Sequence, residues 1–265
     1  MSGKQRARNV LSAQVNAAVS LLVVLSLTLP ATSRADAPPF DRPGIAFSPG
    51  VLPVGSFDWE QGLPDLQYDD NGGMRSKFYT ADTTLRMGLT STLELQVAGS
   101  LWNRLDSRWH GGSSRVEGAG DTRIGLKWAR PLPASKMSVG ILATVTLDTG
   151  SAAFTNGAPI YSLGAVLGRD LGAGRSLAGY VNLDHSGASN TWTVSSNVGF
   201  PVHGNLGFYL EIGRICGAGD ASAVGGGGLT WLLHDRVQLD LSARRGLTSR
   251  SPDLQAGLGV STFWK

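Results

Sequence analysis

The octapeptide "VQLDLSAR", Val237–Arg244, alternates strictly between apolar and polar residues. Val237, Leu239, Leu241 and Ala243 share one parity; Gln238, Asp240, Ser242 and Arg244 share the other. Side chains of a strand point alternately to its two faces, so the segment has one oily side and one side bearing a carboxylate and a guanidinium. In a soluble sheet the oily side meets a protein core. In a membrane barrel it meets lipid, and the charges line a wet interior.

Working outward, the same alternation recurs between turn signals along most of the chain. It predicts about twelve strands, near residues 54–69, 76–89, 92–105, 120–130, 136–148, 159–169, 175–185, 190–200, 205–215, 221–233, 236–247 and 253–265. Glycine supplies 36 of 265 residues, roughly twice the usual ~7% share, which favours strands and turns over helices. Every second connection is compact ("TS" at 90–91, "PLPAS" at 131–135, "HD" at 234–235), whereas 107–120 and 149–159 are the longest. An even strand count with short turns at one end and longer loops at the other is the layout of an outer-membrane barrel. Trp128, Phe200, Trp231, Phe263 and Trp264 near one set of strand ends, with Tyr79 and Trp192 near the other, read as aromatic girdles. The reading is therefore all-β: a transmembrane antiparallel up-and-down β-barrel of about 12 strands, placed in the bacterial outer membrane.

The N-terminus supports export. Basic residues precede the apolar run "AAVSLLVVLSLTLP", Ala17–Pro30, and the small residues around Ser33 and Ala35. This predicts a cleaved signal peptide over 1–35, a Pro-rich lead over 36–53 that either lies free or folds into the barrel mouth as a plug, and a barrel over 54–265. The formal charge of +3 does not indicate a nucleic-acid partner. Lys4, Arg6, Arg8 and Arg34 fall in the signal, and removing these four from 23 leaves nineteen cations against twenty carboxylates. Cys216 is the single cysteine, so no internal disulfide and no cysteine-based metal cluster can form.

The polar parity supplies the candidate pore lining: Asp58, Glu60, Asp82, Arg86, Glu94, Arg123, Lys127, Asp148, Asp184, Glu211, Asp240 and Arg244. Arg123 and Lys127 have Glu94 and Asp148 as prospective partners; such a ladder either stiffens the wall or lines a solute path. Asp58 and Glu60 read as a solvated pair contacting lumen arginines rather than as acid/base catalysts. The cluster "DHSGASN", 184–190, holds Asp, His and Ser, but Asp184 and His185 point to opposite faces of a strand, which argues against a hydrolase. The four histidines are scattered, so no metal site, catalytic residue or cofactor is expected. "GAGD" at 118–121 and 217–220 reads as two turns, and "GGGG" at 225–228 as either wall curvature or a thinned wall beside a plug or lateral exit.

Two stretches also carry a family likeness: "DRPGIAFSPGVLPVGSFDWEQG", Asp41–Gly62, and the Gly-Asp-x-x-x-Gly-x-Lys strand "GAGDTRIGLKW", Gly118–Trp128. Together they resemble the outer-membrane transporter family named after the meta-pathway of phenol degradation. The resemblance implies a β-barrel with a part in uptake of hydrophobic or aromatic compounds. The expected function is passive or facilitated passage of small molecules, with membrane lipid, the solute and the barrel-insertion machinery as partners and no enzymatic activity. A structural or adhesive barrel is the alternative, and an outer-membrane lipid hydrolase a third reading.

Overall fold

The computed structural model describes residues 39–187, 189–217 and 220–265. The predicted signal peptide and residues 36–38 of the lead lie outside these, as do two residues of the second "GAGD". Fourteen strand segments follow in chain order: β1 Phe57–Gly62, β2 Asp65–Asn71, β3 Met74–Gly88, β4 Leu93–Trp109, β5 Gly112–Gly118, β6 Thr122–Leu132, β7 Met137–Leu147, β8 Ile160–Gly172, β9 Arg175–Ser186, β10 Ser189–His203, β11 Leu206–Gly217, β12 Asp220–His234, β13 Val237–Gly246 and β14 Leu254–Trp264. A 3-10 turn, Pro133–Ser135, links β6 to β7.

These segments form one closed antiparallel barrel of twelve wall strands. β1 and β2 are successive halves of the first strand, both pairing with β3 and β14, so the last strand closes on the first. The sequence predicts one unbroken strand over 54–69; the structure breaks it at Leu63–Pro64, because proline has no N–H to give the ladder. β5 and β6 likewise both pair with β4 and together form the fourth strand. The stretch 107–120, expected as a long loop, is instead a hairpin: β4 runs on to Trp109, Gly111 turns the chain at φ +94°, and β5 returns. The outer face of the hairpin is mostly charged and its inner face sets Ser107 and Ser114 among Leu105, Trp109 and Val116, so no continuous apolar alternation announced it.

Burial decides what lies on each face. Leu241 is 51% exposed, whereas Gln238, Asp240 and Ser242 between and beside the leucines are 2–4% exposed. The pattern extends around the ring. Leu85, Met87, Leu95, Val97, Ile124, Leu126, Leu177, Val194 and Leu258 face outward, while among the described residues sixteen polar or charged side chains are buried against seven apolar ones. A soluble sandwich buries its oily face; this molecule is the inverse.

Residues 39–54 run inside the ring. Their backbone and side chains bond to inward-facing groups on β1, β3, β4, β6, β11 and β13. Glycines on the inner wall leave room for them. A side chain at Gly88 would strike the carbonyls of Leu52 and Pro53, one at Gly168 would meet Pro49, one at Gly213 would meet Ile45, and one at Gly259 would meet the Arg42 guanidinium. The small apolar core of the molecule also forms here, where Ala46 and Phe47 pack on Val166, with Leu142, Ala178 and Tyr180 beside them.

Candidate functional site

The inner wall holds two zones. The zone nearer the chain termini is buried and ionic. Arg86, fully buried, donates to Asp58 (3.0 Å), Glu60 (2.7 Å) and Glu94 (2.8 Å) and stands 3.6 Å from Asp41 of the inner segment. Lys127, also fully buried, reaches Asp41 at 2.9 Å and Glu94 at 3.7 Å, with its ammonium 5.4 Å from the Phe47 ring centroid. An isolated buried charge costs several kcal/mol, so each of these groups persists only because the others surround it. Asp58 and Glu60 contact a lumen arginine as expected, yet they are not solvated: both are 0–1% exposed, because the inner segment covers them.

The inner segment is tied down at many points. Glu60 accepts from the backbone N–H groups of Asp41 (2.8 Å) and Arg42 (2.6 Å), Glu211 from that of Ile45 (2.9 Å), and Glu94 from that of Leu52 (2.8 Å). The Arg42 side chain spans two strands, pairing with Asp65 at 3.1 Å and Asp240 at 3.2 Å. Arg244 donates to Glu211 and to the Pro43 carbonyl. Burial opposes ionisation of Asp41, but Arg86 and Lys127 beside it, with hydrogen bonds from Lys127 and Ser48, hold its carboxyl below the usual value of 3.8.

Beyond this segment, away from the termini, the lumen opens into a cavity of about 770 Å³. Residues 41–47 form its floor; Asp82, Arg123, Thr144, Tyr180, Asp184 and Arg244 are among its walls. Aromatic faces come from Phe47 and Tyr180, in edge contact at 5.6 Å, and from Phe78. Asp121, between β5 and β6, accepts from Gly150 N–H and from both the backbone and side-chain amides of Asn156, each at 2.8 Å. Burial works against this carboxylate and the hydrogen bonds outweigh it, so its pKa is lowered. Those bonds draw the β7–β8 connection inward until Phe154 stacks on Phe78 at 6.0 Å.

The predicted lining residues therefore separate into three groups. Asp58, Glu60, Arg86, Glu94, Lys127, Glu211 and Asp240 gather around the inner segment; Asp82, Arg123, Asp184 and Arg244 face the cavity. Asp148 stands past the end of β7, exposed in the connection and not among the cavity walls. Lys127 pairs with Glu94 as anticipated, whereas Arg123 has neither that partner nor Asp148 and instead sits near Asp82 and Tyr180. Asp184 and His185 bond to different partners, Asn182 and Asn190. Sequence reasoning did not find Asp41, Arg42 and Phe47 as site residues. Their stretch has no alternation, and its charges pair with groups 23 to 198 positions away.

A protein family described as "Putative MetA-pathway of phenol degradation" matches residues 40–263. The chain belongs to that family. The match takes in both the inner segment and the closing strand. No curated protein matches in sequence. Among solved structures, an outer-membrane channel from Pseudomonas putida F1 is similar at 14% identity and a TM-score of 0.64, over 84% of this chain and 99% of that one. The KdgM porin, in complex with disordered oligogalacturonate, is similar at 9% identity and 0.54 over 79% of this chain and 99% of that one. The translocator domain of the autotransporter NalP from Neisseria meningitidis is similar at 11% and 0.53, over 84% and 90%. At such identities the likeness establishes the barrel fold that this family member shares with channels and translocators alike.

Proposed function

We propose that this family member is an outer-membrane channel whose lumen is closed toward the periplasm by residues 39–54 acting as a plug. The inverted burial supports the membrane placement, since the exposed leucine and valine band needs lipid. Both termini of the barrel then face the periplasm, and the cavity becomes a vestibule open to the exterior. The observation that carries a transport role over an anchoring one is the pairing of that 770 Å³ vestibule with a floor built from a separate, bonded segment. A barrel that served only to hold surface loops has no use for a fitted stopper.

Transport here is selection by width and lining rather than covalent chemistry. A solute enters past the inward-drawn β7–β8 connection, rests between Tyr180, Phe47 and the polar wall, and passes when the floor shifts. The family's name and the aromatic faces both favour small aromatic or hydrophobic compounds as cargo.

Conductance in a planar bilayer tests the reading. The full mature chain is expected to show small or rare openings, and a chain lacking residues 36–53 large stepwise ones. Silence from the truncated barrel, with insertion confirmed, would sink the channel reading.

A further inference from the structure

Strand register places a cluster of cations on the outward face of the barrel, at the end away from the termini. Tyr79, Arg104 and Glu117 lie opposite one another on β3, β4 and β5; so do Lys77, Asp106 and Arg115 in the next outward row, then Arg75, Arg108 and Ser113. Phe78 and Thr80, of the other parity, face the cavity, which fixes these three rows as exterior. On β2, Asp70 faces Arg75. The patch thus holds five cations against Asp70, Asp106, Glu117 and Asp253, which accepts from the Asp70 N–H at 2.8 Å, a formal excess of one. Asp70 pairs with Arg75 at 2.7 Å, and Asp106 is shared by Arg104 at 2.6 Å and Arg115 at 2.7 Å. Lys77 and Arg108 are exposed and have no ion pair among the described residues. As diagonal neighbours across the β3–β4 ladder they stand roughly 7–8 Å apart. Arg214 on β11 and Arg245 on β13 also face outward at this end, on strands that are not neighbours.

Height along the wall identifies what the patch meets. Ten residues separate Leu89, at the opposite end of β3, from Tyr79. At about 3.3 Å per residue and a tilt near 40°, that is about 25 Å, the height of an outer-membrane apolar band. Tyr79 and Trp102 then stand at the outer interface, and Lys77, Arg75 and Arg108 one to two rows above it, level with lipid headgroups.

We propose that this patch binds the phosphate groups of an outer-leaflet glycolipid. Lys77 and Arg108 make the direct contacts, the Arg104–Asp106–Arg115 set holds the strands between them, and the acyl chains run down past Trp102 and Leu101, which is 69% exposed. The proposal rests on the membrane placement above, and insertion of the full chain into phosphatidylcholine vesicles tests that placement separately.

Native mass spectrometry of the full mature chain in detergent, titrated with a bis-phosphorylated lipid A and with its dephosphorylated form, tests the patch. The phosphorylated form is expected to be retained, and the Lys77→Ala/Arg108→Ala chain to bind it about tenfold more weakly. Lys77→Arg/Arg108→Lys, which keeps both charges, is expected to restore binding and shows that the weaker variant has not merely misfolded. Equal retention of both lipids by the unaltered chain, unchanged retention by the double alanine variant, or displacement by equimolar inorganic phosphate would overturn the proposal, whatever the conductance experiments show.

Discussion

Asp41 shows how much one carboxylate can organise. One oxygen accepts from Lys127 and from the Ser48 N–H, the other from Gln96, and Arg86 lies beside it. Its folded pKa lies below the ordinary 3.8, so its stabilisation is fully present above that value and is lost as pH falls through the lowered one. Residues 39–54 should therefore stay docked from neutral pH down to about 4 and loosen only below it. Hydrogen-exchange protection factors of the Arg42, Ile45 and Leu52 amides, measured across pH, would report this. Loss of protection between pH 7 and 5 would contradict it. At this scale the sequence was informative for the wall and blind for the floor. Parity placed Arg86, Glu94 and Lys127 on one face of their strands, but that Arg86 and Lys127 would also meet Asp41 depended on a segment with no periodicity.

Among elements, the fit between the inner segment and its glycines is the most exacting. Gly168 on β8 has no neighbour closer than Pro49 where a side chain would go. A Gly168→Leu substitution should therefore expel the segment while leaving the β7–β8 and β8–β9 ladders intact. Expected outcomes are a heat-modifiable barrel on a gel together with conductance close to that of the truncated chain. An unfolded barrel would mean that the segment is part of the fold rather than a stopper. The glycine run in β12 behaves differently. Side chains at Gly226, Gly227 and Gly228 would meet the carbonyls of Ala243, Tyr209 and Leu241 on the flanking strands. Pairing with β11 and β13 continues unbroken through all of Gly225–Gly228, which fits a tightly bent wall rather than a gap. The sequence offered both readings of "GGGG"; only the ladder distinguishes them.

For the whole molecule, the decisive quantity is the charge enclosed. Around the inner segment and cavity stand ten carboxylates, Asp41, Asp58, Glu60, Asp65, Asp82, Glu94, Asp121, Asp184, Glu211 and Asp240, against Arg42, Arg86, Arg123, Lys127 and Arg244. A lumen with that formal excess, enclosed by a closed protein wall, concentrates cations. The truncated barrel should be cation-selective in a tenfold KCl gradient, and Asp82→Asn with Asp184→Asn should shift its reversal potential toward zero. A reversal potential of anionic sign in the unsubstituted truncated barrel would refute the charge argument.

What the sequence determined by itself was the barrel: strand number, the face each side chain takes, and the end at which the chain closes. Those follow from a local rule, a two-residue period repeated between turns, and each strand states it independently. The tertiary structure alone decided that 107–120 is a hairpin and that residues 39–54 form the floor of the cavity. The floor depends on groups far apart in the chain meeting across an enclosed space. Arg42 finds Asp240 through the lumen, and no local pattern encodes a contact 198 residues away.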